Sequence, residues 1–290
     1  MPESRSIATS DPPSVDVVRS RAELRRALDG RHRPLGLVPT MGWLHAGHRS
    51  LIARARDECG TIAVSVFVNP RQFDNPADLA RYPRGETTDL RLCADAGADL
   101  VWLPSVDDVY PAGFDTSVTV ERLTLPLEGA ARPGHFAGVT TVVAVLFGIV
   151  RPDRAYFGEK DGQQLRVIER MARDLGMTEV VRCPTVREPD GLALSSRNVH
   201  LASDDRAAAP VLHRALLAGL AAWEAGARDA TAIRDRVAAV LAAERRAVVE
   251  YVSCADDVTL VELERIEGPA MLSLAARFGT TRLIDNVRLG

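Results

Sequence analysis

Apolar and polar positions along this chain follow two rhythms. Short apolar runs at residues 35–38, 62–68, 100–103, 155–157 and 180–181 predict strands. The amphipathic stretches at 47–58, 87–96, 139–150 and 163–175 predict helices between them. Alternation of this kind implies an α/β fold: a largely parallel sheet covered by helices on both faces. Ligands of such sheets bind beyond the carboxyl ends of the strands, which directs attention to residues 69–73 and 158–161. After about Pro184 the pattern changes to two Ala/Arg-rich helices, 206–225 and 230–247, and strand-like runs at 248–253, 270–276 and 281–284. These predict a smaller C-terminal α+β domain. The expected division is an arm over 1–16, a larger domain over 17–184 and the smaller one over 185–290.

With 290 residues, 46% of them hydrophobic, the chain can bury a sizeable core. A net charge of -3 lacks the broad basic footprint of a nucleic-acid binder, so small molecules are the expected partners. Residues 1–17 have no apolar stretch and read as a loose arm, neither secretory signal nor anchor. The longest apolar run, 141–150, is half of the ~20 residues needed to cross a bilayer and reads as a buried helix. Cys59, Cys93, Cys183 and Cys254 are scattered, with no C-x-x-C pair, as in a cytoplasmic protein with reduced thiols.

Rare residue types collect near the predicted strand ends. Lys160 is the only lysine among 36 basic Lys and Arg residues, and the glutamines are Gln72, Gln163 and Gln164. A compact ammonium and a guanidinium fork are not equivalent at a phosphate. After the first predicted strand, His45-Ala46-Gly47-His48 opens a helix. There the backbone N–H groups and helix dipole attract anions, the imidazoles can donate hydrogen bonds or a proton, and Gly47 lets a ligand approach the backbone. No third ligand at local spacing supports a metal pair. Asn69 and Gln72 offer neutral amides suited to a small organic acid, or simply form an Asn-Pro turn. Lys160 and Gln164 share a face if a helix begins by Lys160, and Asp161 can be its cap. Ser195-Ser196-Arg197 can hold phosphate oxygens or cap a following helix.

Taken in order, Pro39-Thr40-Met41-Gly42, His45-x-Gly47-His48, Phe67-Val68-Asn69-Pro70-x-Gln72-Phe73, Tyr82-Pro83-Arg84, Arg132-Pro133-Gly134-His135-Phe136-x-Gly138-Val139, Gly158-Glu159-Lys160-Asp161, Leu194-Ser195-Ser196-Arg197-Asn198 and Leu283-Ile284-Asp285-Asn286 resemble the pantothenate synthetase family. This is an AMP-forming ligase family with a Rossmann-like domain, within the wider H-x-G-H nucleotidyltransferases. The resemblance spans about residues 17–287. It implies ATP, (R)-pantoate and β-alanine as substrates, a pantoyl-adenylate intermediate, Mg²⁺ arriving mainly on ATP phosphates, and a cytoplasmic homodimer with no nucleic-acid or membrane partner. By the same resemblance, His45, His48 and Lys160 are catalytic, with His48 as proton donor. Met41, Gly42, His45, Gly47 and His48, then Gly158, Glu159, Lys160 and Asp161, then Val186, Leu194, Ser195, Ser196 and Arg197 make the ATP site. Gln72 and Gln164 hold pantoate, supported by Asn69. Asp89 lies near a region linked to the metal, but Thr88 precedes it and the protein ligands stay unassigned.

Two positions depart from the family. Arg71 stands where methionine is common; it can pair with Asp74 or disturb substrate access. Gly162 stands where a bulkier residue is usual, and weakens the helix start by about 1 kcal/mol relative to Ala. Residues 75–85 are a candidate lid over a reactive intermediate. Another nucleotidyltransferase would leave the amide segment and the second domain unexplained, a tRNA synthetase would need an RNA-binding region, and the retained Lys160 and both histidines count against a nucleotide-binding regulator that has lost turnover.

Overall fold

The computed structural model describes residues 15–73 and 76–290. Six strands form one parallel sheet: β1 (Asp16–Val18), β2 (Leu35–Thr40), β3 (Thr61–Val66), β4 (Leu100–Trp102), β5 (Arg154–Gly158) and β6 (Glu179–Cys183), in the order β1-β4-β3-β2-β5-β6. The chain winds outward from β2 through β3 to β4, then crosses back to β5 on the other side. The direction therefore reverses between β2 and β5, and a crevice opens beyond their carboxyl ends.

Both faces of the sheet are covered. The helix His135–Val150 is apolar around its whole circumference and sits in a core with Leu37, Ala63, Leu100 and Phe157. It begins four residues before the predicted start, where Gly134 in the left-handed region (φ +85°) admits the chain. The helix Ala46–Glu58 packs Leu51, Ile52 and Ala55 against Val38, Ile62 and Val64 on the opposite face.

The C-terminal part holds an antiparallel sheet, β7 (Val248–Asp256), β8 (Ala270–Phe278) and β9 (Thr281–Leu289), with the helices Val211–Glu224 and Ala230–Ala242 packed on it through Leu216, Ile233, Leu272 and Leu274. The single helix expected over 206–225 is two, Ser203–Ala208 and Val211–Glu224, because Pro210 has no N–H to continue the ladder. At the other end, Asp16–Val18 belongs to the sheet edge and pairs with β4, although the arm was expected to reach Val17. Three residues are too few to show an alternating rhythm.

Buried ion pairs join the two sheets. Arg166, on the helix Gly162–Asp174, and Asp257, just past β7, have side chains only 4% exposed. Arg166 Nε donates to the Asp257 backbone oxygen at 2.9 Å and to Oδ1 at 3.1 Å, and Arg182 Nη1 donates to Oδ2 at 2.9 Å. Removing one member leaves the other as an uncompensated buried charge. Asp257→Ala should therefore lower the unfolding free energy by about 3–5 kcal/mol. Asp204→Ala, which breaks the exposed pair with Arg246, should cost less than about 1 kcal/mol. Urea unfolding of both variants checks this; equal losses would mean that the buried pair does not hold the two sheets together.

Candidate functional site

The first wall of the crevice starts where β2 ends. The chain turns through Gly42 (φ +85°) and Trp43 (φ +53°). The turn is held from beneath by Asp89, which is 3% exposed and accepts the N–H groups of Trp43 at 2.9 Å and Leu44 at 2.7 Å. Gly42 reaches the crevice only through this turn; it does not line it. His45 then caps the helix Ala46–Glu58. Its Nδ1 accepts the Gly47 N–H at 3.1 Å, while His48 Nδ1 accepts the His45 N–H at 3.2 Å. A neutral imidazole that accepts at Nδ1 carries its proton on Nε2, so both rings, with centroids 4.2 Å apart, are set as Nε2–H donors.

Gly47 serves this arrangement through the space it leaves. A Cβ there would stand 2.9 Å from His45 Cε1. The missing side chain makes room for the capping imidazole, and Gly47 also lines the crevice.

Burial, then neighbouring His45, pushes the His48 imidazole down to about 3. Burial, followed by the Lys160 ammonium, also lowers His45. At neutral pH the ligand-free protein thus presents His48 as an uncharged hydrogen-bond donor.

The second wall follows β5. A 3₁₀ turn, Glu159–Asp161, leads into the helix Gly162–Asp174. Lys160, its side chain 17% exposed, places Nζ 3.2 Å from Asp161 Oδ1. Asp161 was a candidate helix cap, but its carboxylate makes no capping bond and pairs with the ammonium instead. Burial opposes ionisation of Asp161; Lys160, then Arg197 and His135, outweigh it and hold the carboxyl below its usual range. Glu159 does not line the crevice; its carbonyl is taken by Asn286.

The third group hangs on Asn69. Its Oδ1 accepts from the Arg71 N–H at 3.2 Å and the Tyr110 hydroxyl at 2.8 Å, and its Nδ2 donates to Gln72 Oε1 at 2.9 Å and to the Gly138 oxygen at 3.1 Å. A Cβ on Gly138 would lie 2.1 Å from the Arg71 oxygen, so glycine lets this turn reach the helix His135–Val150. With Oε1 occupied, Gln72 Nε2 has no hydrogen-bond partner among the described residues. Gln163 is structural: it holds the Leu123 and Pro126 carbonyls at 2.8 Å and the Glu128 N–H at 2.9 Å. Arg71 turns away from the crevice, its guanidinium 4.9 Å from the centroids of Tyr110 and Phe114. Asp74, its expected partner, lies outside the described residues, as does Asn75 of the candidate lid.

These walls enclose a cavity of about 290 Å³. Met41, His45, Gly47 and His48 line it with Gly158, Lys160 and Asp161; Val186, Leu194, Ser195, Ser196 and Arg197 come from the C-terminal side; Asn69, Gln72 and Gln164 complete it. Arg132 and His135, without an expected role in the site, also line it. Arg132 Nη2 donates to the Gln72 backbone carbonyl at 3.0 Å and His135 Nδ1 to the same carbonyl at 2.9 Å. Their Arg-Pro-Gly-His motif was the available signal. Tyr82 also faces the cavity, edge-on to Phe73 with ring centroids 5.6 Å apart. The described residues gather no group of three or more His, Cys, Asp or Glu able to cage a metal. Asp89 is buried with both oxygens taken by backbone N–H groups, which does not suit a metal ligand.

A family model described as pantoate-beta-alanine ligase matches residues 16–288. The pantothenate synthetases of Herpetosiphon aurantiacus and Chloroflexus aggregans are each 54% identical over 275 residues, 94% of this chain and 99% of the relative. Among solved structures, the pantothenate synthetase of Thermus thermophilus superposes with a TM-score of 0.90 at 49% identity, covering 94% of this chain and 99% of its own. The pantoate-beta-alanine ligase of Francisella tularensis, complexed with beta-gamma ATP and beta-alanine, superposes at 0.76 and 33% identity, over 94% and 97%.

Because His48 is lowered in the fold from an ordinary value near 6.5 to about 3, the unfolded chain binds a proton there that the native state refuses. This stabilisation is complete above about pH 6.5 and is lost as pH falls toward 3. His48→Gln should flatten that acid loss in chemical-denaturation curves, and the His48 ring resonances should not titrate between pH 5 and 8. A ring that titrates near 6.5 would remove the uncharged-donor assignment.

Proposed function

The chain belongs to the pantoate-beta-alanine ligase family, and on that premise we propose how its own residues carry out the reaction. The protein joins pantoate to β-alanine at the expense of ATP. The observation that carries the residue-level reading is the single cavity in which His45, His48 and Lys160 share space with the amides of Gln72 and Gln164.

The chemical obstacle is charge. The (R)-pantoate carboxylate, an anion, attacks the α-phosphorus of ATP; the bond from that phosphorus to the bridging oxygen breaks, and pyrophosphate leaves with the electron pair. Lys160 faces the phosphates as a compact cation, and the Nε2–H groups of His45 and His48 donate to phosphate oxygens where negative charge grows. Ser195, Ser196 and Arg197 close on the same oxygens from the C-terminal side. Mg²⁺, the divalent ion assigned here, would arrive with ATP and supply further charge neutralisation. Gln72 Nε2 and the Gln164 amide hold pantoate, with Asn69 orienting Gln72. In the second half, the β-alanine amine adds to the acyl carbon of pantoyl adenylate, the carbon–oxygen bond to phosphate breaks, nitrogen loses a proton, and pantothenate and AMP leave. Excluding water protects the adenylate, and Tyr82, seated against Phe73 and facing the cavity, supports residues 76–85 as the cover.

Residues 17–184 act as the ATP- and pantoate-binding domain and residues 185–290 as the part that closes over ATP. We assign the working form to a cytoplasmic homodimer, in keeping with four buried free cysteines; a monomer mass in solution would count against it.

The test is pyrophosphate and AMP release from purified protein with Mg-ATP and (R)-pantoate, with and without β-alanine. Pyrophosphate should appear with pantoate alone, and sustained AMP and pantothenate only once β-alanine is added. Pyrophosphate formation that requires β-alanine would exclude a free-standing adenylation step. Lys160→Ala should slow pyrophosphate release by about 10²-fold or more. Lys160→Arg should also be impaired, since the broader fork does not fit where the ammonium does; full activity of the arginine variant would make the lysine incidental.

A further inference from the structure

The residue that grips the Lys160 turn from outside comes from the far end of the chain. Asn286, on β9, donates through Nδ2 to the carbonyl of Glu159 at 2.8 Å and to that of Lys160 at 2.9 Å. These are successive carbonyls of the 3₁₀ turn Glu159–Asp161, so one amide pins the backbone on which the ammonium is mounted. Gly162 is what admits it. A Cβ at that position would lie 3.0 Å from Asn286 Cγ and Nδ2 and 2.8 Å from Met271 Sδ, closer than packed atoms approach. The small residue that weakens the helix start thus allows β8 and β9 to press against it.

Asn286 is itself anchored. Its N–H donates to Asp285 Oδ1 at 2.8 Å, and Asp285 takes both Nη atoms of Arg187, at 2.6 and 2.9 Å. Arg187 is on the first arm of the hairpin that leads to Ser195 and Arg197, opposite Ala193, and Leu194 N–H closes its base on the Val186 oxygen at 2.9 Å. Adjacent residues of one strand therefore hold the Lys160 turn and the base of the Ser195–Arg197 loop.

We propose that Asn286 is a positioning residue for Lys160, acting through the turn and not on the substrate. The inference rests on the reading of Lys160 as the charge-stabilising group. Asn286 also lines the cavity, so direct action on a substrate is the rival the experiment must separate.

A double-mutant cycle does so. Pantoate-dependent pyrophosphate release is measured at saturating Mg-ATP for the wild type, Asn286→Ala, Lys160→Ala and the double variant. Asn286→Ala should lower kcat about tenfold, as expected for a misplaced catalytic group, with KM for pantoate within about twofold of the wild type because the turn does not hold that substrate. In the Lys160→Ala background the same change should cost no more than about twofold, since the group it positions is gone. Full additivity, or no effect of Asn286→Ala alone, overturns the proposal while leaving Lys160 in place. Near wild-type turnover of Lys160→Ala overturns the reading of the lysine itself. If Asn286→Ala does not fold, Asn286→Asp, which keeps the shape and removes the donor, takes its place in the cycle.

Discussion

The carboxyl group of Asp89, sealed beneath the first strand-to-helix turn, sets the geometry from which the rest of the site follows. Two adjacent N–H groups, those of Trp43 and Leu44, have no ladder to join as the chain leaves β2, and the carboxyl satisfies both. With the turn held, His45 enters the helix at the angle that lets its ring cap Gly47 and its N–H meet His48. Each imidazole then spends Nδ1 internally and shows Nε2–H outward. A helix start would otherwise offer bare N–H groups to an anion; here two side chains take up part of that role and carry the donors further into the cavity.

The opposite wall follows a different logic, one of charge placement. Arginine forks elsewhere are engaged at two points: Arg166 on Asp257, Arg187 on Asp285 and Arg282 on Glu128. Such pairs are rigid and nearly neutral, which suits the joint between the sheets. The Lys160 ammonium makes a single ion pair, with a half-buried Asp161, and keeps donors to spare. The ordered joint and this singly paired cation are adjacent: the Gly162–Asp174 helix carries Arg166, and Lys160 stands just before its start.

Much of this was legible in the sequence. The sheet strands β2 to β6 announced themselves through apolar runs, and the crevice residues sit beyond β2, β3 and β5 as parallel-sheet geometry requires. The helix Arg21–Leu28 was not foreseen, although Ser20 and Glu23 form a capping box; its polar character left only Leu24 fully buried as an apolar marker. Long-range partnerships were the harder part. Nothing in local spacing tells that Gln163 is bound to the carbonyls of a loop about 40 residues earlier, that Arg71 lies on Tyr110 and Phe114, or that Gly162 faces Asn286 across the two sheets. Those depend on which elements the fold brings together, and a glycine in sequence does not say which neighbour it makes room for.

The solitary lysine also alters what can be done to the protein from outside. With guanidinium groups carrying every other side-chain cation, the chain has one ε-amine, and it lies on the wall of the cavity with a sixth of its side chain reachable by solvent. Acylating and reductive-alkylating reagents, which normally scatter over a protein surface, have a single side-chain target here. Labelling of that ε-amine, read apart from the more acidic α-amine, therefore becomes a reporter of cavity occupancy without any engineered residue.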